Sequence, residues 1–405
     1  MARFHPLRVA AVDPLTDDSV ALTLTVPEAL REEFRHAPGQ HLALRRAARR
    51  TGPVPAPAPG SVPAPGSDAA LSSDAAAGSA GADMTGGADR ADRADGADMA
   101  EGFEVRRTYS ICSPAPDPGG PGPSTLRVGV RLVEGGAFST YAMKEIGVGD
   151  ELDVMTPAGR FTLDPAPGLY AAIVGGSGIT PVLSIVATLL AREPSARFCL
   201  LRSDRTAAST MFLEEVADLK DRFPERLQLV TVLSREEQQA GLPSGRLDRA
   251  RLTGLLPSLL PVRQVAGWFL CGPFGLVQGA EQALREIGVP RSRIHEEIFH
   301  VDVAAPPART AAPAHSTVTA RLDGRGGSWP VQDGESVLET VLRNRPDAPY
   351  ACKGGVCGTC RAFLVSGEVR MDRNFALEPE ETEAGYVLAC QSHPVTEAVE
   401  VDFDR

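Results

Sequence analysis

One run constrains this chain more than any other: Cys352-Lys353-Gly354-Gly355-Val356-Cys357-Gly358-Thr359-Cys360, answered further on by Cys390. The spacing is C-x4-C-x2-C followed by one distant thiol. That is how four thiolates hold a [2Fe–2S] cluster, three from one tight loop and one from another segment. Glycines at 354, 355 and 358 permit positive φ and let amide N–H groups approach the sulfurs. Those amides stabilise the negative charge of a cluster and help set its potential. A structural zinc site needs a second C-x2-C knuckle or a pair of histidines. Here His393 is the sole histidine near Cys390, and zinc stays as the alternative. A Rieske centre needs two histidine ligands, and the loop has none.

The remaining composition narrows the class. The chain has 405 residues, enough for two to four domains, and a formal net charge of -11. That balance argues against nucleic acid or an anionic membrane as the main partner. No apolar run approaches a membrane span, and Met1 to Leu7 has no apolar signal core. A cytoplasmic location is expected, with Cys112, Cys199 and Cys271 as free thiols.

The rhythm of the chain changes twice. In residues 1–45, Leu22, Leu24 and Val26 alternate with polar positions, and Pro38-Gly39 leads into a run from Gln40 to Leu44. Period-two alternation of this kind predicts short antiparallel strands in a barrel or sandwich. Strands resume at Val105, run through Arg107-Thr108-Tyr109-Ser110 and Thr125–Val133, and end near Phe161. Between them, residues 46–103 are rich in Ala, Gly, Pro, Ser and Asp, and residues 51–100 lack Phe, Trp, Tyr, Ile and Lys. Such a segment cannot bury enough apolar surface to offset its chain entropy and is expected to be a disordered insertion. The turn Gly135-Gly136, entering a short helix with Ser139, offers N–H groups and a positive dipole end to a pyrophosphate. An arginine adds charge, and a tyrosine adds a flat face suited to an isoalloxazine ring.

From residue 168, strands and helices alternate. A strand at 170–174 is followed by Gly175-Gly176-Ser177-Gly178-Ile179-Thr180-Pro181 and a helix to Arg192, with Pro181 expected at its first position. Strands at 197–201, 227–233 and 267–271 and helices at 210–222 and 273–287 continue a βαβ series. The series implies a parallel, doubly wound sheet, whose first glycine turn is a phosphate site. The turn is no nucleophile elbow, because G-x-S-x-G would need glycine where Ile179 stands. Residues 302–315 read as an Ala/Pro linker. Residues 316–405 hold paired strands, a helix between Ser336 and Asn344, and the four cysteines. The expected division is an antiparallel β-barrel at 1–165, an α/β doubly wound domain at 166–301, the linker, and an α+β domain at 316–405.

These modules together resemble ferredoxin–NADP reductase-type oxidoreductases with a C-terminal plant-type ferredoxin domain. Arg107-Thr108-Tyr109-Ser110, the 175–181 turn, Cys271-Gly272-Pro273 and Cys352 to Cys360 carry the likeness. The tail, Met371 to Leu377 with Gly385 to Gln391, is similar to that of reductase subunits of phenylacetyl-CoA epoxidases, which are bacterial multicomponent monooxygenases. The resemblance implies a FAD-binding barrel, an NADP domain and a β-grasp [2Fe–2S] domain. Arg107 would contact the FAD phosphates, Tyr109 would stack on the flavin, and Ser110 would bond near its reactive nitrogen. Gly136 and Ser139 would sit at the pyrophosphate. Gly176, Gly178 and Thr180 would line the nicotinamide nucleotide, with Cys271, Gly272 and Pro273 near its ring. Glu297 and Phe299 would close the flavin site. Ser110 and Cys271 would then stand at the hydride-transfer centre, and Cys352, Cys357, Cys360 and Cys390 would bind the metal.

A 2′-phosphate calls for arginines, and a bare ribose for an acidic residue. Arg205 follows the second strand of the nucleotide domain, and Ser234-Arg235 follows the third, with Arg246 a further candidate. Asp204 lies beside them, so the signal is mixed, and NADPH is the expected donor. Arg202-Ser203-Asp204 departs from the more aromatic stretch common in relatives. The expected partner is the oxygenase component of a multicomponent monooxygenase. The alternatives are another ring-hydroxylating or alkane oxygenase as partner, or a zinc or iron–sulfur redox-sensing module. The acidic run Glu378, Glu380, Glu381 and Glu383 offers a steering surface to a basic partner or a merely solvated face. Replacing Cys357 with serine is expected to abolish reduction of one-electron protein acceptors while NADPH still bleaches the flavin. Acceptor reduction at the wild-type rate would take the cluster off the path.

Overall fold

The computed structural model describes residues 4–46, 106–236, 244–300 and 316–405. The expected insertion, beyond Arg46, and the expected linker lie outside the described residues.

The first sheet contains β1 (Phe4–Thr16), β2 (Ser19–Thr25), β3 (His41–Arg46), β4 (Arg106–Ser110), β5 (Thr125–Arg131) and β6 (Glu151–Met155). Its order is β4-β3-β6-β1-β2-β5, and each pairing is antiparallel. An antiparallel bridge between Ile111 and Val128 joins the end of β4 to β5, which curls the sheet into a barrel. Alternate residues point inward, so Leu22, Leu24, Leu42, Leu44, Leu126 and Val128 are all fully buried in one core. Helix α1 (Ala137–Lys144) adds Phe138 and Ala142 to that core.

The second sheet contains β7 (Leu169–Gly175), β8 (Arg197–Asp204), β9 (Leu227–Leu233), β10 (Gly267–Pro273) and β11 (Ile294–His300), in the order β11-β10-β7-β8-β9 and all parallel. Helices α2 (Ile179–Arg192) and α3 (Leu213–Arg222) share one core with the sheet; α4 (Arg249–Leu259) and α5 (Phe274–Ile287) share another. The chain leaves β7 in one direction and returns through β10 on its other side. The β7/β10 boundary is therefore a topological switch point, where a crevice opens beyond the strand ends. Pro181 is the third helical residue rather than the first, after a short 3₁₀ turn at Gly176–Gly178. The shift costs nothing, because the first four helical N–H groups have no intrahelical partner. Helix α4 was not expected from the sequence, and Pro257 lies inside it. It forms because Asp248 caps it, accepting from Arg251 N–H at 2.9 Å, and because Leu252 and Leu256 are buried.

The third sheet orders β13 (Arg325–Pro330), β12 (Thr317–Leu322), β18 (Ala398–Asp402), β14 (Arg361–Ser366) and β16 (Tyr386–Leu388). Only β12 and β18 run parallel. Helix α6 (Val337–Leu342) begins in a capping box, with Ser336 and Glu339 satisfying each other's backbone N–H. It buries Val337, Leu338 and Val341 against this sheet. A small ladder, β15 (Val369–Met371) with β17 (Ser392–Pro394), flanks it.

Apolar contacts and ion pairs seat the third sheet on the other two. Ala351 and Cys357 meet Ala43, Met155 and Phe4 of the barrel. Val356 and Phe375 pack on the α/β core, with Phe375 and Phe274 rings edge-to-face at 5.4 Å. Arg160 pairs with Glu381 and donates to Ala376 O at 2.7 Å, and Arg291 reaches Glu378 at 3.1 Å. Both acids belong to the acidic run, on α7 (Pro379–Glu383) or at its cap. Part of that run is thus spent inside the molecule.

Arg106 is buried at this seam. It donates to Pro346 O at 3.0 Å and Ala348 O at 3.3 Å, and its guanidinium lies 4.4 Å over the Tyr350 ring. Replacing Arg106 with alanine removes hydrogen bonds from a charged donor, worth about 1.5–3 kcal/mol each. Amide hydrogen exchange at Asp347, Ala348 and Tyr350 should then accelerate by at least about tenfold. Unchanged protection would mean that the apolar contacts alone hold the seam.

Candidate functional site

Site residues from two sheets converge where β4 ends and β11 passes. The Ser110 hydroxyl donates to Glu297 Oε2 at 3.3 Å, and the Cys271 thiol faces the same oxygen at 3.8 Å. Burial, and then the Glu297 charge, push the Cys271 thiol well above its usual range, so it stays neutral. On the other side of Glu297, His41 Nδ1 lies 3.8 Å from Oε1. Sequence reasoning missed His41, because a lone histidine in a strand carries no pattern. Phe299, on β11, is half-buried against the α/β core.

Tyr109 lies on the barrel beside Phe138, with ring centroids 5.4 Å apart. Arg107 donates to the Arg106 carbonyl at 2.8 Å. Gly136 precedes α1, whose first turn has no side-chain cap. Ser139 is buried and turned inward: its hydroxyl donates to Gly136 O at 3.2 Å and accepts from Val133 N–H at 3.1 Å. It shapes the turn from within.

The 175–180 turn lies across from Cys271. A Cβ at Gly178 would sit 2.2 Å from Cys271 O, so only glycine allows these strand ends to approach. Gly272 takes φ +141°, beside Gly175. The start of α2 has no side-chain cap, and Thr180 donates back to Ser177 O at 3.0 Å. Arg131, not anticipated from sequence, brings Nη1 within 2.9 Å of the Cβ position of Gly176, where φ is +54°. Beyond β8 and β9, Arg235 N–H donates to Arg205 O and Ser234 N–H to Asp204 O, both at 2.9 Å, so these loops lie side by side. Asp204 does not share that surface: its carboxylate is buried and accepts from Arg202 Nε at 2.9 Å. The two-residue spacing gave no hint, because only the fold buries both.

The four cysteines face one another in pairs, Cys352 with Cys357 and Cys360 with Cys390. Bonding to Cys357 and to the amides of Gly354, Val356 and Cys357 pulls the Cys352 thiol down to about 5. Gly354 N–H lies 3.4 Å from its sulfur. Cys357 and Cys360 are held well above the usual thiol range by their partner sulfurs and by burial. A coordinating metal overturns that resistance, since it deprotonates its thiols outright. Among the described residues, no three His, Cys, Asp or Glu side chains surround one point as a single ion requires. Four thiols from two segments match the donor set that the loop spacing assigns to a [2Fe–2S] cluster. Gln391 ties the two segments, donating to Lys353 O at 2.7 Å and approaching the Cys390 sulfur at 3.7 Å.

Fold and donor set together define a pyridine-nucleotide-dependent oxidoreductase that carries an iron–sulfur domain. Residues 320–395 match the 2Fe-2S iron-sulfur cluster binding domain family, and residues 172–282 match the oxidoreductase NAD-binding domain family. One subunit of the 1,2-phenylacetyl-CoA epoxidase of Escherichia coli K12 is 38% identical, over 100% of this chain and 99% of that protein. The ferredoxin reductase component of the 3-ketosteroid-9-alpha-monooxygenase of Rhodococcus rhodochrous is 29% identical, over 98% and 96%. Among solved structures, phthalate dioxygenase reductase superposes with a TM-score of 0.53 at 21% identity, over 99% of this chain and 98% of that one. The chain belongs to the family of ferredoxin reductase-type oxidoreductases that includes the Escherichia coli epoxidase protein. No helix among the described residues is long and apolar enough to cross a membrane.

An alanine at Gly178 must displace the Cys271 carbonyl or the turn itself. Equilibrium titration with pyridine nucleotide should show affinity lowered by at least about tenfold, on the order of 1.4 kcal/mol, with iron content retained. Wild-type affinity would place the nucleotide elsewhere.

Proposed function

We propose that this chain is the reductase component of a multicomponent monooxygenase, passing electrons from NADPH through FAD and a [2Fe–2S] cluster to the oxygenase component. The system we assign is phenylacetyl-CoA epoxidation in phenylacetate degradation, in the cytoplasm. The observation that carries this reading is the 38% identity to the Escherichia coli epoxidase protein along the whole chain. A second reading, another oxygenase as partner, draws on the 29% identity, also nearly full-length, to a ketosteroid monooxygenase reductase.

We divide the chain into the FAD barrel at 1–165, the nucleotide domain at 166–301 and the ferredoxin domain at 316–405. When bound, FAD takes up an electron pair as hydride and releases electrons singly, and the cluster accepts them one at a time. Tyr109 supplies the flat face against the flavin. Arg107 and the uncapped start of α1 at Gly136 neutralise its phosphates. Ser110 holds a hydroxyl at the reacting edge, with Glu297 as its acceptor and Phe299 closing the site. Gly176, Gly178 and Thr180 shape the turn for the nucleotide phosphates, and Cys271, Gly272 and Pro273 border the nicotinamide. Cys352, Cys357, Cys360 and Cys390 hold the cluster.

The preference for NADPH rests on charge. Arg205, Ser234 and Arg235 lie on neighbouring loops beyond β8 and β9 that are joined through their backbones, and Arg205 also lies 3.5 Å from Asp18 of the barrel. Asp204, the residue that would favour a bare ribose, is committed to Arg202. The Arg205→Ala, Arg235→Ala double variant should lose at least about tenfold in kcat/KM for NADPH and little for NADH. An equal loss for both nucleotides would sink the assignment. The broader reading is tested by the spectrum of the purified chain and by coupled oxidation of phenylacetyl-CoA with a candidate oxygenase. Flavin bands and an iron–sulfur envelope bleached by NADPH are expected. A colourless protein defeats the reductase reading; a coloured one that supports only another oxygenase moves the partner.

A further inference from the structure

A turn of the barrel reaches the loop of the nucleotide domain that carries Arg205, and it brings a carboxylate. We propose that Asp18, in that turn, competes with the 2′-phosphate of the nucleotide for Arg205, and so limits how far the protein prefers NADPH to NADH; the inference rests on the nucleotide reading above.

Asp18 lies between β1 and β2. Its carbonyl accepts from Leu132 N–H at 2.7 Å, and the Thr16 hydroxyl donates to its Oδ1, also at 2.7 Å. Backbone and carboxylate are therefore both held in place. Oδ1 also accepts from Arg131 Nε and Nη2, each at 3.2 Å. Oδ2 lies 3.5 Å from Arg205 Nη2. One carboxylate thus faces two arginines, Arg131 on β5 of the barrel and Arg205 just beyond β8. In the parallel sheet Gly175 stands opposite Ser203, so the glycine turn and the Arg205 loop leave the sheet side by side.

The two arginines are held differently. Arg131 is 15% exposed, and its Nη2 also donates to Ser209 O at 2.5 Å. That second bond keeps it in place without Asp18. The Arg205 side chain is 52% exposed, and Asp18 is its only ion-pair partner among the described residues. At 3.5 Å that pair is loose, and ion pairs this exposed contribute little. A 2′-phosphate carries up to about two negative charges and draws Arg205 away from Asp18. The carboxylate then loses a partner and lies a few ångströms from a like charge, which opposes binding. NAD⁺ has no such phosphate, so the opposition falls on NADP⁺ alone. Asp18 therefore acts through Arg205 as a specificity-determining residue supplied by the barrel.

The test titrates the oxidised holoprotein with NADP⁺ and with NAD⁺ by calorimetry. Asp18→Asn keeps the shape of the side chain and an oxygen for Thr16, and removes the charge. It should tighten NADP⁺ by about three- to tenfold and leave NAD⁺ within about twofold. The gain should shrink as salt is raised from about 0.05 to 0.5 M, because screening weakens the opposing charge. Asp17→Asn, at the exposed neighbour in the same turn, removes the same charge and should change neither affinity. In an Arg205→Ala background Asp18→Asn should gain nothing, since both residues act through one contact. Should Asp18→Asn lose flavin, Asp18→Ser is titrated in its place with the same expectation. A flavin-loaded Asp18 variant without a selective gain for NADP⁺ overturns the proposal. So does an equal gain from Asp17→Asn, or a gain that survives Arg205→Ala. Normal nucleotide binding with no Asp18 effect defeats only this inference, whereas a wild-type holoprotein that binds neither nucleotide defeats the reductase reading as well.

Discussion

The contact between Ser110 and Glu297 joins the end of β4 to the middle of β11, strands that belong to different sheets. β4 closes the barrel through a single bridge beyond its end, and β11 is the outermost strand of the parallel sheet. Exposed sheet edges invite unwanted pairing. Here β4 is closed onto β5 by that bridge, and it meets β11 through the side chains of Ser110 and Glu297. A hydroxyl from the barrel and a carboxylate and thiol from the α/β sheet reach one point because the chain doubles back beside β7. The switch point frees the ends of β7 and β10, and Gly178 lets them come within contact of each other.

Electrostatics then decides what each charged residue is for. Glu378 and Glu381 look like a surface for a partner, yet they hold Arg291 and Arg160 across the seam. Ion pairs as exposed as these contribute little singly. The buried Arg106 and the apolar contacts around Val356 and Phe375 carry more of the docking. Arg202 and Asp204 are the opposite case, a pair removed from solvent altogether. Such a pair is costly to break and poor evidence of net stabilisation. Its consequence is that the Asp204 carboxylate is withdrawn from the surface beyond β8 and β9.

Much of the architecture was legible in order and type. The alternation at Leu22, Leu24 and Val26, the parallel-sheet rhythm after residue 168 and the capping residue Ser336 each reflect local physics. Helix α4 was not, because the local rule against Pro257 was overridden by the burial of Leu252 and Leu256. Ser139 stands in the glycine turn, and nothing local could tell that its hydroxyl bonds back to Val133 and Gly136.

By itself, the sequence determined the four thiols and their spacing, since these are covalent facts. It likewise determined the order of the modules and the glycine turns, because those follow from local backbone preference. Only the tertiary structure decided which side chains answer one another: His41 to Glu297 and Arg106 to the carbonyls at 346 and 348 across sheets, and Asp204 to Arg202 in the interior. The reason is distance along the chain. Ion pairs and hydrogen bonds act over a few ångströms in space, and a one-dimensional pattern carries no record of which residues folding brings that close.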